Sequence, residues 1–489
     1  NRHTVSHLQL QVGSCHQIHA RTLFLTSITS FTMKQRTLLF LLPALVLLLD
    51  SCSIYTNYQR PESLPTDSLY RDLPQENDTA SIATLSWREL FTDPQLVQWI
   101  ELGLEQNTDL QTARLRVEQA EATLMTSKLS FLPSVSLNPE GTLSSYDGAK
   151  TSKTYSLGAS ASWEIDIFGS LRNAKKGSRA ALEQSRAYQQ AVQSQLIATI
   201  ADTYYSLLML DEQLDITRRT AKSWQETVQS LQALMRAGEQ NQAAVAQAEA
   251  SRLTAEQSVL SLEKQIKELE NSLSTLVGIV PQAIERGKLS EAVFSEQLSV
   301  GIPLQLLGKR PDVRQAEYAL AEAFYATNQA RSAFYPQITL SGSAGWTNNS
   351  GAAIVNPGNW LLQAVGSLTQ PLFNKGKNIA NLRIAKAQQE EALLAFQQSL
   401  LDAGAEVNNA LTQWQTARQS LTLDEEKIEQ LETALRSTRL LMQHGNTNYL
   451  EVLTAQQTLL DARLTKVSDR YEEIQGVINL YHALGGGAD

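Results

Sequence analysis

The sequence predicts an α + β membrane protein in which several identical chains build one hollow tube, a β-barrel continued by long α-helices. Three observations carry that expectation. A short apolar run ending in a cysteine has the form of an export signal, the strand segments are too few to close a barrel alone, and the helical segments are too long for a globular domain.

The 489 residues could fill two or three ordinary domains, but nothing along the chain marks a boundary between independent units. With 19% charged residues and a net charge of -9, the chain lacks the basic footprint of a nucleic-acid binder. Residues 1–32 show no helical or strand period and precede Met33-Lys34-Gln35-Arg36, which reads as a true start. They read as a non-native upstream segment outside the fold. Four of the six histidines and Cys15 lie in that piece, so His444, His482 and Cys52 are what remain for chemistry.

From Met33, Lys34 and Arg36 precede the apolar run Leu38 to Leu49, followed by Asp50-Ser51-Cys52. This is the pattern of a lipoprotein signal peptide over residues 33–51. A membrane-spanning helix needs about 20 apolar residues, and this run holds about a dozen. Asp50 departs from the pattern, since a small residue usually stands there. Acylation of Cys52 would leave no thiol for a disulfide or a metal, and the covalent lipid is the one added group expected. Residues 52–86 are polar, carry Pro61 and Pro65, and read as extended chain on the surface.

Beyond that segment the chain repeats itself. Asn107-Thr108-Asp109-Leu110 opens a helical stretch ending at Phe131-Leu132-Pro133, and Arg310-Pro311-Asp312-Val313 opens another ending at Phe334-Tyr335-Pro336. Asp166-Ile167-Phe168-Gly169 then answers to Pro371-Leu372-Phe373-Asn374, Ala237-Gly238 to His444-Gly445, and Val277-Gly278 to Leu484-Gly485. The offset drifts only from 203 to 207. The expected organisation is repeat one over 87–278, a joining segment over 279–304 with Pro281 and Pro303, repeat two over 305–485, and a tail over 486–489.

Each repeat should contain two strands, near 134–146 and 155–167 in the first and near 337–348 and 359–370 in the second. Tyr155, Leu157, Ala159, Ala161, Trp163, Ile165 and Ile167 alternate with Ser156, Gly158, Ser160, Ser162, Glu164 and Asp166. Repeat two alternates in the same way, Ile338, Leu340, Ala344 and Trp346 against Gln337, Thr339, Ser341 and Ser343. That period of two gives one apolar and one polar face. A soluble sandwich shares the pattern. The count decides: four strands of about 10 residues cannot close a barrel, which needs at least about 8. Open edges are not tolerated in lipid, so further copies must complete the wall. The residues by themselves permit eight strands or twelve.

The helices follow a coiled-coil rhythm. Phe396, Leu400, Ala403, Val407, Ala410, Trp414, Ala417, Leu421, Ile428, Leu431 and Leu435 recur at steps of three and four, with Asp424 as the break. The next segment runs Leu450, Leu453, Gln457, Leu460, Leu464, Val467, Tyr471, Ile474, Ile478 and Tyr481, with Gln457 as the exception. Leu196, Ile200, Leu207, Leu210, Leu214, Trp224, Val228, Leu231 and Met235 repeat the pattern in the first half. So narrow a stripe needs a partner helix. Long helices are expected near 170–237, 242–277, 377–443 and 447–484. The first lacks proline and would reach about 100 Å. Gly238 and Gly445 would cap the turns that fold each pair into a hairpin.

The motifs Trp87-Arg88-Glu89-Leu90-Phe91-Thr92-Asp93, Arg310-Pro311-Asp312-Val313-Arg314-Gln315-Ala316-Glu317, Phe334-Tyr335-Pro336 and Gly445-Asn446-Thr447-Asn448-Tyr449-Leu450-Glu451-Val452-Leu453 stand in order along the chain. Together they resemble the TolC-type outer-membrane efflux proteins, and within them the NodT-like or OprM-like lipoproteins, over essentially all of 52–485. The resemblance implies a homotrimer with a 12-stranded barrel in outer-membrane lipid and a periplasmic barrel of twelve helices. It also implies a periplasmic adaptor (membrane fusion) protein and an inner-membrane resistance-nodulation-division pump as partners. The chain would be a passive exit duct for drugs or other small toxic compounds, not an enzyme.

In that family the tube closes at the periplasmic helix ends, where acidic side chains ring the opening. The matching position is Glu451, with Thr454 where a second acid often stands, which halves the ring charge. Three copies of Glu451 around one axis would favour cations. The bland alternative is a solvated carboxylate at a helix start, favoured by the helix dipole. Tyr449 and Thr447 would hold the closed tip, and His444 beside Gly445 and Gly238 would sit where an adaptor docks. His482 reads as packing near the last helix end. A type I protein-secretion duct and a non-transport coiled-coil scaffold are the competing functions. No Gly-rich phosphate loop ending in Lys-Ser/Thr and no His or Cys cluster is visible in the sequence.

Overall fold

A computed structural model describes residues 55–61, 64, 69, 82, 85–148, 150–294, 309–347, 359–444 and 449–488. The expectations for residues 1–32, for the signal at 33–51 and for Cys52, Gly445 and Thr447 lie outside the described residues. The chain divides into Asn1–Thr56, of which only residues 55 and 56 are described, and Asn57–Asp489, which holds every element below.

Three helices open the first repeat: α1 (Trp87–Leu90), α2 (Pro94–Gln106) and α3 (Thr108–Leu129). Side chains at each helix start satisfy free amides there. The Glu89 carboxylate accepts from the Ser86 N–H at 2.7 Å, Asp93 Oδ1 from Gln95 N–H at 2.9 Å, and Asn107 Oδ1 from Leu110 N–H at 2.9 Å. Strands β1 (Ser134–Ser144) and β2 (Ser152–Ile165) follow, then α4 (Ser170–Arg236) and α5 (Gln242–Leu276). A single 3-10 turn lies at Leu289–Glu291. The second repeat gives α6 (Pro311–Ser332), β3 (Gln337–Thr347), β4 (Asn359–Thr369), α7 (Lys377–Gln443) and α8 (Tyr449–Ala483).

Both α4 and α7 have 67 residues, hence about 100 Å each at 1.5 Å per residue. Both begin after a glycine with positive φ, Gly169 at 77° and Gly376 at 78°. Strand β2 ends at Ile165 because Asp166 turns away to cap α4, its carboxylate accepting from Leu171 N–H at 3.1 Å and Arg172 N–H at 2.8 Å. Its start, Ser152, pairs with Ser144, so the hairpin reaches further toward its turn than the Tyr155 start expected from alternation.

The sheet order is β1-β2-β3-β4, all neighbours antiparallel. Thus β2 and β3 join the two repeats, while β1 and β4 each have one neighbour. Pro139, which has no N–H to donate, sits on the edge strand β1.

The main core lies where the repeats meet. Leu96 and Ile100 of α2, Ile197, Ile200, Tyr204 and Leu207 of α4, and Ile474, Ile478 and Tyr481 of α8 are buried there together. Each repeat closes on itself by the same device. Asn107 donates from Nδ2 to the Leu276 carbonyl at 2.8 Å, and its counterpart Arg310 donates to the Ala483 carbonyl at 2.6 Å. Gly278 and Gly485 follow those helix ends with φ of 82° and 86°. A Cβ on Gly278 would stand 2.8 Å from the Gln106 carbonyl oxygen, so the close approach of α2 requires glycine there.

The seam stripes bury as expected along α7, from Phe396 at 1% exposed through Val407 and Ala410 to Leu435. Asp424, the break in that stripe, is itself buried. On α8 the stripe departs from expectation in the first turns. Leu450 is 47% exposed and Gln457 is exposed, bonding its own-helix neighbour Asp461 at 2.9 Å. Val452 and Leu459 face α7 there instead. The reason is a second neighbour: α8 packs on α4 as well as α7, so its buried surface is wider than one heptad stripe.

Candidate functional site

The sheet separates two chemistries. By register, Val135 and Leu137 share a face with Leu157, Trp163, Leu340, Leu362 and Leu368. That face is open, with Val135 73% and Leu362 83% exposed. On the other face Ser134, Ser136, Ser160, Ser162, Ser341, Ser343 and Gln363 line a shallow concavity. Ser160 Oγ lies 2.8 Å from Ser136 Oγ and accepts from Asn138 Nδ2 at 2.9 Å. Strands of 11 to 14 residues match the about 9–11 needed to span hydrocarbon. A sheet with an exposed aliphatic face, a hydroxyl-lined face and two open edges is the wall of a lipid-embedded passage in which more strands are needed. Among the described residues, no helix is long and apolar enough to cross a membrane.

At the far end of the helices, the first turns of α8 sort their side chains onto three sides. Leu453, with Tyr449 one turn before it, packs into the cluster of Trp224, Val228 and Leu231 from α4 and Ala244, Val245 and Ala248 from α5. Val452 packs with Leu435 and Leu459 along the α7 seam. Glu451 and Thr454, three apart, share the remaining exposed side, which Thr458 continues. Glu451 also lies in the first turn of its helix, where the dipole favours a carboxylate. The structure therefore brings Glu451 and Thr454 to one exposed stripe and turns Tyr449 the other way, against the first hairpin. Gly238 adopts the left-handed φ of 81° at the end of α4, and His444 is exposed at the end of α7.

One contact at this end was not legible in the heptad stripe. Gln456, 4% exposed on α8, donates to Ser223 Oγ of α4 at 2.9 Å, and Thr227 Oγ1 donates to Gln456 Oε1 at 3.5 Å. Arg439 of α7 reaches the same Ser223 Oγ at 3.4 Å. Three long helices thus meet at one hydroxyl about two turns from the α8 start. A glutamine in a polar stretch gives no signal of this kind; a cue exists only once the second packing face of α8 is known.

At the opposite end of α8, Arg310 is 3% exposed and bonds Asp312 through two nitrogens, Glu406 at 2.6 Å and the Ala483 carbonyl. Burial alone would raise the Asp312 carboxyl, but the Arg310 guanidinium outweighs it and holds the group below the usual carboxylate range. His482 sits beside this cluster with Nδ1 2.9 Å from Ser194 Oγ, whose proton goes to the Gly486 carbonyl. Burial, then the neighbouring Arg310, push its pKa below the ordinary histidine value. The described residues hold no group of three or more His, Cys, Asp or Glu placed to bind a metal ion.

A lipid-facing sheet rooted on paired helices of about 100 Å defines a class of protein: a subunit of an outer-membrane channel with a periplasmic helical tube. The outer membrane efflux protein family model matches the chain twice, over residues 99–279 and 302–486, and the chain belongs to that family. One match falls on each half of the chain. The chain is 30% identical over 458 residues to the cation efflux system protein CusC of Escherichia coli (strain K12), covering 91% of this chain and 99% of CusC. It is 28% identical over 457 residues to the probable outer membrane lipoprotein SilC of Salmonella typhimurium, covering 90% and 97%. The crystal structure of the open state of the Neisseria gonorrhoeae MtrE outer membrane channel superposes with a TM-score of 0.81 at 28% identity, covering 90% of this chain and 99% of that one. The protein is an outer-membrane channel component of an efflux pump.

Proposed function

We propose that the chain acts as a homotrimeric passive exit duct, carrying small toxic compounds outward from an inner-membrane resistance-nodulation-division pump through a periplasmic adaptor protein. The observation that carries this reading is the four-stranded sheet with two open edges and one exposed apolar face. Three such sheets give twelve strands, and each β1 edge then finds a β4 edge on its neighbour. The likeness to efflux-system components supports the assignment to a pump. A family made of channel proteins supports a duct that performs no chemistry, its energy supplied elsewhere.

Cys52 carries the covalent lipid in this reading, in keeping with the likeness to a probable outer membrane lipoprotein. Glu451, with Thr454 one turn on, forms the periplasmic constriction; three copies give a ring of carboxylates that selects for cations. Tyr449 and Thr447 hold the tip against the first hairpin, and Gly238, His444 and Gly445 lie at the turns that meet the adaptor. Opening moves the second-repeat hairpin outward, away from the Trp224 cluster.

The test is co-purification with crosslinking from native membranes. Recovery of trimers joined to an adaptor and a resistance-nodulation-division pump is the expected result. Crosslinks to an ATP-driven protein exporter, with export of a protein lost in the deletion strain, would replace this reading by type I secretion.

A further inference from the structure

The one acidic residue in the α7 seam has a partner across it. Asp424 lies between Leu421 and Ile428 and is 6% exposed, and its Oδ2 has no hydrogen-bond donor among the described residues. A buried carboxylate oxygen left without a donor is costly unless a proton sits on or beside it. The side chain that meets it is another acid, Asp469 of α8, half-buried and placed to hydrogen-bond with Asp424 when it carries a proton.

The chain's own repeat supplies a control. Leu214 answers to Leu421 and Leu276 to Ala483 at the same offset, so Asp424 corresponds to Thr217 and Asp469 to Leu262. Thr217 is 1% exposed and satisfied, its hydroxyl donating to the Gln213 carbonyl at 2.7 Å, and Leu262 packs against the core. At one level of one architecture, the first hairpin carries a neutral, satisfied pair and the second carries two carboxyls.

The surrounding charges do not neutralise them. On α7, Glu425 is engaged by Lys466 at 3.0 Å, and Lys427 is exposed and acts on Asp469 only at a distance. On α8, Arg470 is committed to Glu473 and the Ala292 carbonyl, and Glu472 adds further negative charge. From α4, the neutral Gln213 donates to Ser468 at 3.0 Å, and Asp202 accepts from Tyr471 at 2.8 Å, adding negative rather than positive charge.

We propose that Asp424 and Asp469 form a proton-binding site in which a proton carried by Asp469 is hydrogen-bonded to the Asp424 carboxyl, zipping α7 to α8 when bound and loosening the second-repeat hairpin when released. The site lies about 30 Å along α7 from His444, so it is separate from the tip constriction and does not depend on the role given to Glu451. Burial first, then the hydrogen bond and charge of Asp424, push the Asp469 carboxyl up to about 6. The folded chain therefore keeps a proton that the unfolded chain has lost between about pH 4 and 6, and the hairpin loses stability as pH rises through that window.

Infrared titration of the purified full-length channel in detergent tests this directly. The expected result is a protonated-carboxyl C=O stretch that disappears with a midpoint near pH 6, is absent in Asp469→Asn and persists in Glu322→Gln, which removes the α6 carboxyl that burial also raises. Hydrogen exchange should report faster opening of peptides spanning 417–430 and 464–473 at pH 7.5 than at pH 5.5, after correction for intrinsic exchange, and Asp424→Asn should abolish the difference. If Asp469→Asn fails to fold, the titration of Glu322→Gln decides, since that variant lacks the other carboxyl raised by burial. A wild-type protein with no carboxyl band surviving above pH 5 overturns the proposal, as does a band that remains unchanged in Asp469→Asn.

Discussion

Gln456 of α8 and Ser223 of α4 form a part-buried hydrogen bond at 2.9 Å that ties the second-repeat hairpin to the first, one turn beyond Val452 and Leu453. The neighbouring Trp224 cluster joins the same hairpins through hydrophobic side chains. If the second hairpin swings outward to open the tube, this bond must break. Gln456→Leu removes it at similar volume and should favour the open state by about 1 kcal/mol, about fivefold in open probability. Single-channel recording of the purified trimer in planar bilayers reads this, and Ser223→Ala should give an increase of the same sign.

Glu451 and Thr454 share the exposed stripe of α8, so a charge placed at either position should act on the passing ion. Glu451→Ala is expected to lower cation-over-anion selectivity in the same bilayers, and Thr454→Asp to raise it. Unchanged conductance and selectivity in both variants would remove this stripe from the constriction.

Replacing Cys52 by Ser should abolish incorporation of radiolabelled acyl chain into the protein. Continued labelling would place the anchor on another residue.

Arg310 is the most deeply buried charged side chain at the junction of the repeats, with Asp312, Glu406 and the Ala483 carbonyl as partners. Arg310→Ala leaves the Ala483 carbonyl without its donor and the half-exposed Asp312 and Glu406 carboxylates without their counter-charge, and should cost about 1–3 kcal/mol, read as a lowered thermal midpoint. The pH dependence follows with a definite sign. The depressed Asp312 carboxyl contributes stability that is present above its unfolded value and lost as pH falls through the folded one. His482, also depressed, adds a loss in the same direction as pH drops below about 6.5. Thermal melts should therefore show an acid-side decline that Arg310→Ala flattens.

Gly278 and Gly238 separate two reasons for glycine. Both have positive φ, but a Cβ on Gly278 would also stand 2.8 Å from the Gln106 carbonyl oxygen, whereas Gly238 has open space around it. Gly238→Ala should cost about 1 kcal/mol from backbone strain, and Gly278→Ala distinctly more, by comparison of denaturation midpoints.

Much of this architecture was legible in the residues. The alternation of Leu157 to Ile165, the steps of three and four from Phe396 to Leu435, and the duplication of Phe131-Leu132-Pro133 as Phe334-Tyr335-Pro336 each reflect a local periodicity that the backbone imposes on any strand or helix. The exposure of Leu450 and Gln457 was not legible, because the stripe assumes one partner helix and α8 has two. The burial of Gln456 and the meeting of Asp424 with Asp469 escaped for a related reason. A polar side chain carries no periodic signal, and its partner lies on another helix, up to 233 residues away for Ser223.

The sequence by itself determined that this protein has two repeats, four strands and long paired helices, since period and proline-free length are properties of a segment and its immediate neighbours. Only the tertiary structure decided that β2 and β3 join the repeats and leave β1 and β4 open, that α8 rests on α4 as well as α7, and that two acids share one seam. Those outcomes depend on which distant surfaces come into contact, and burial turns an ordinary glutamine or aspartate into a latch or a proton site only after that contact is made.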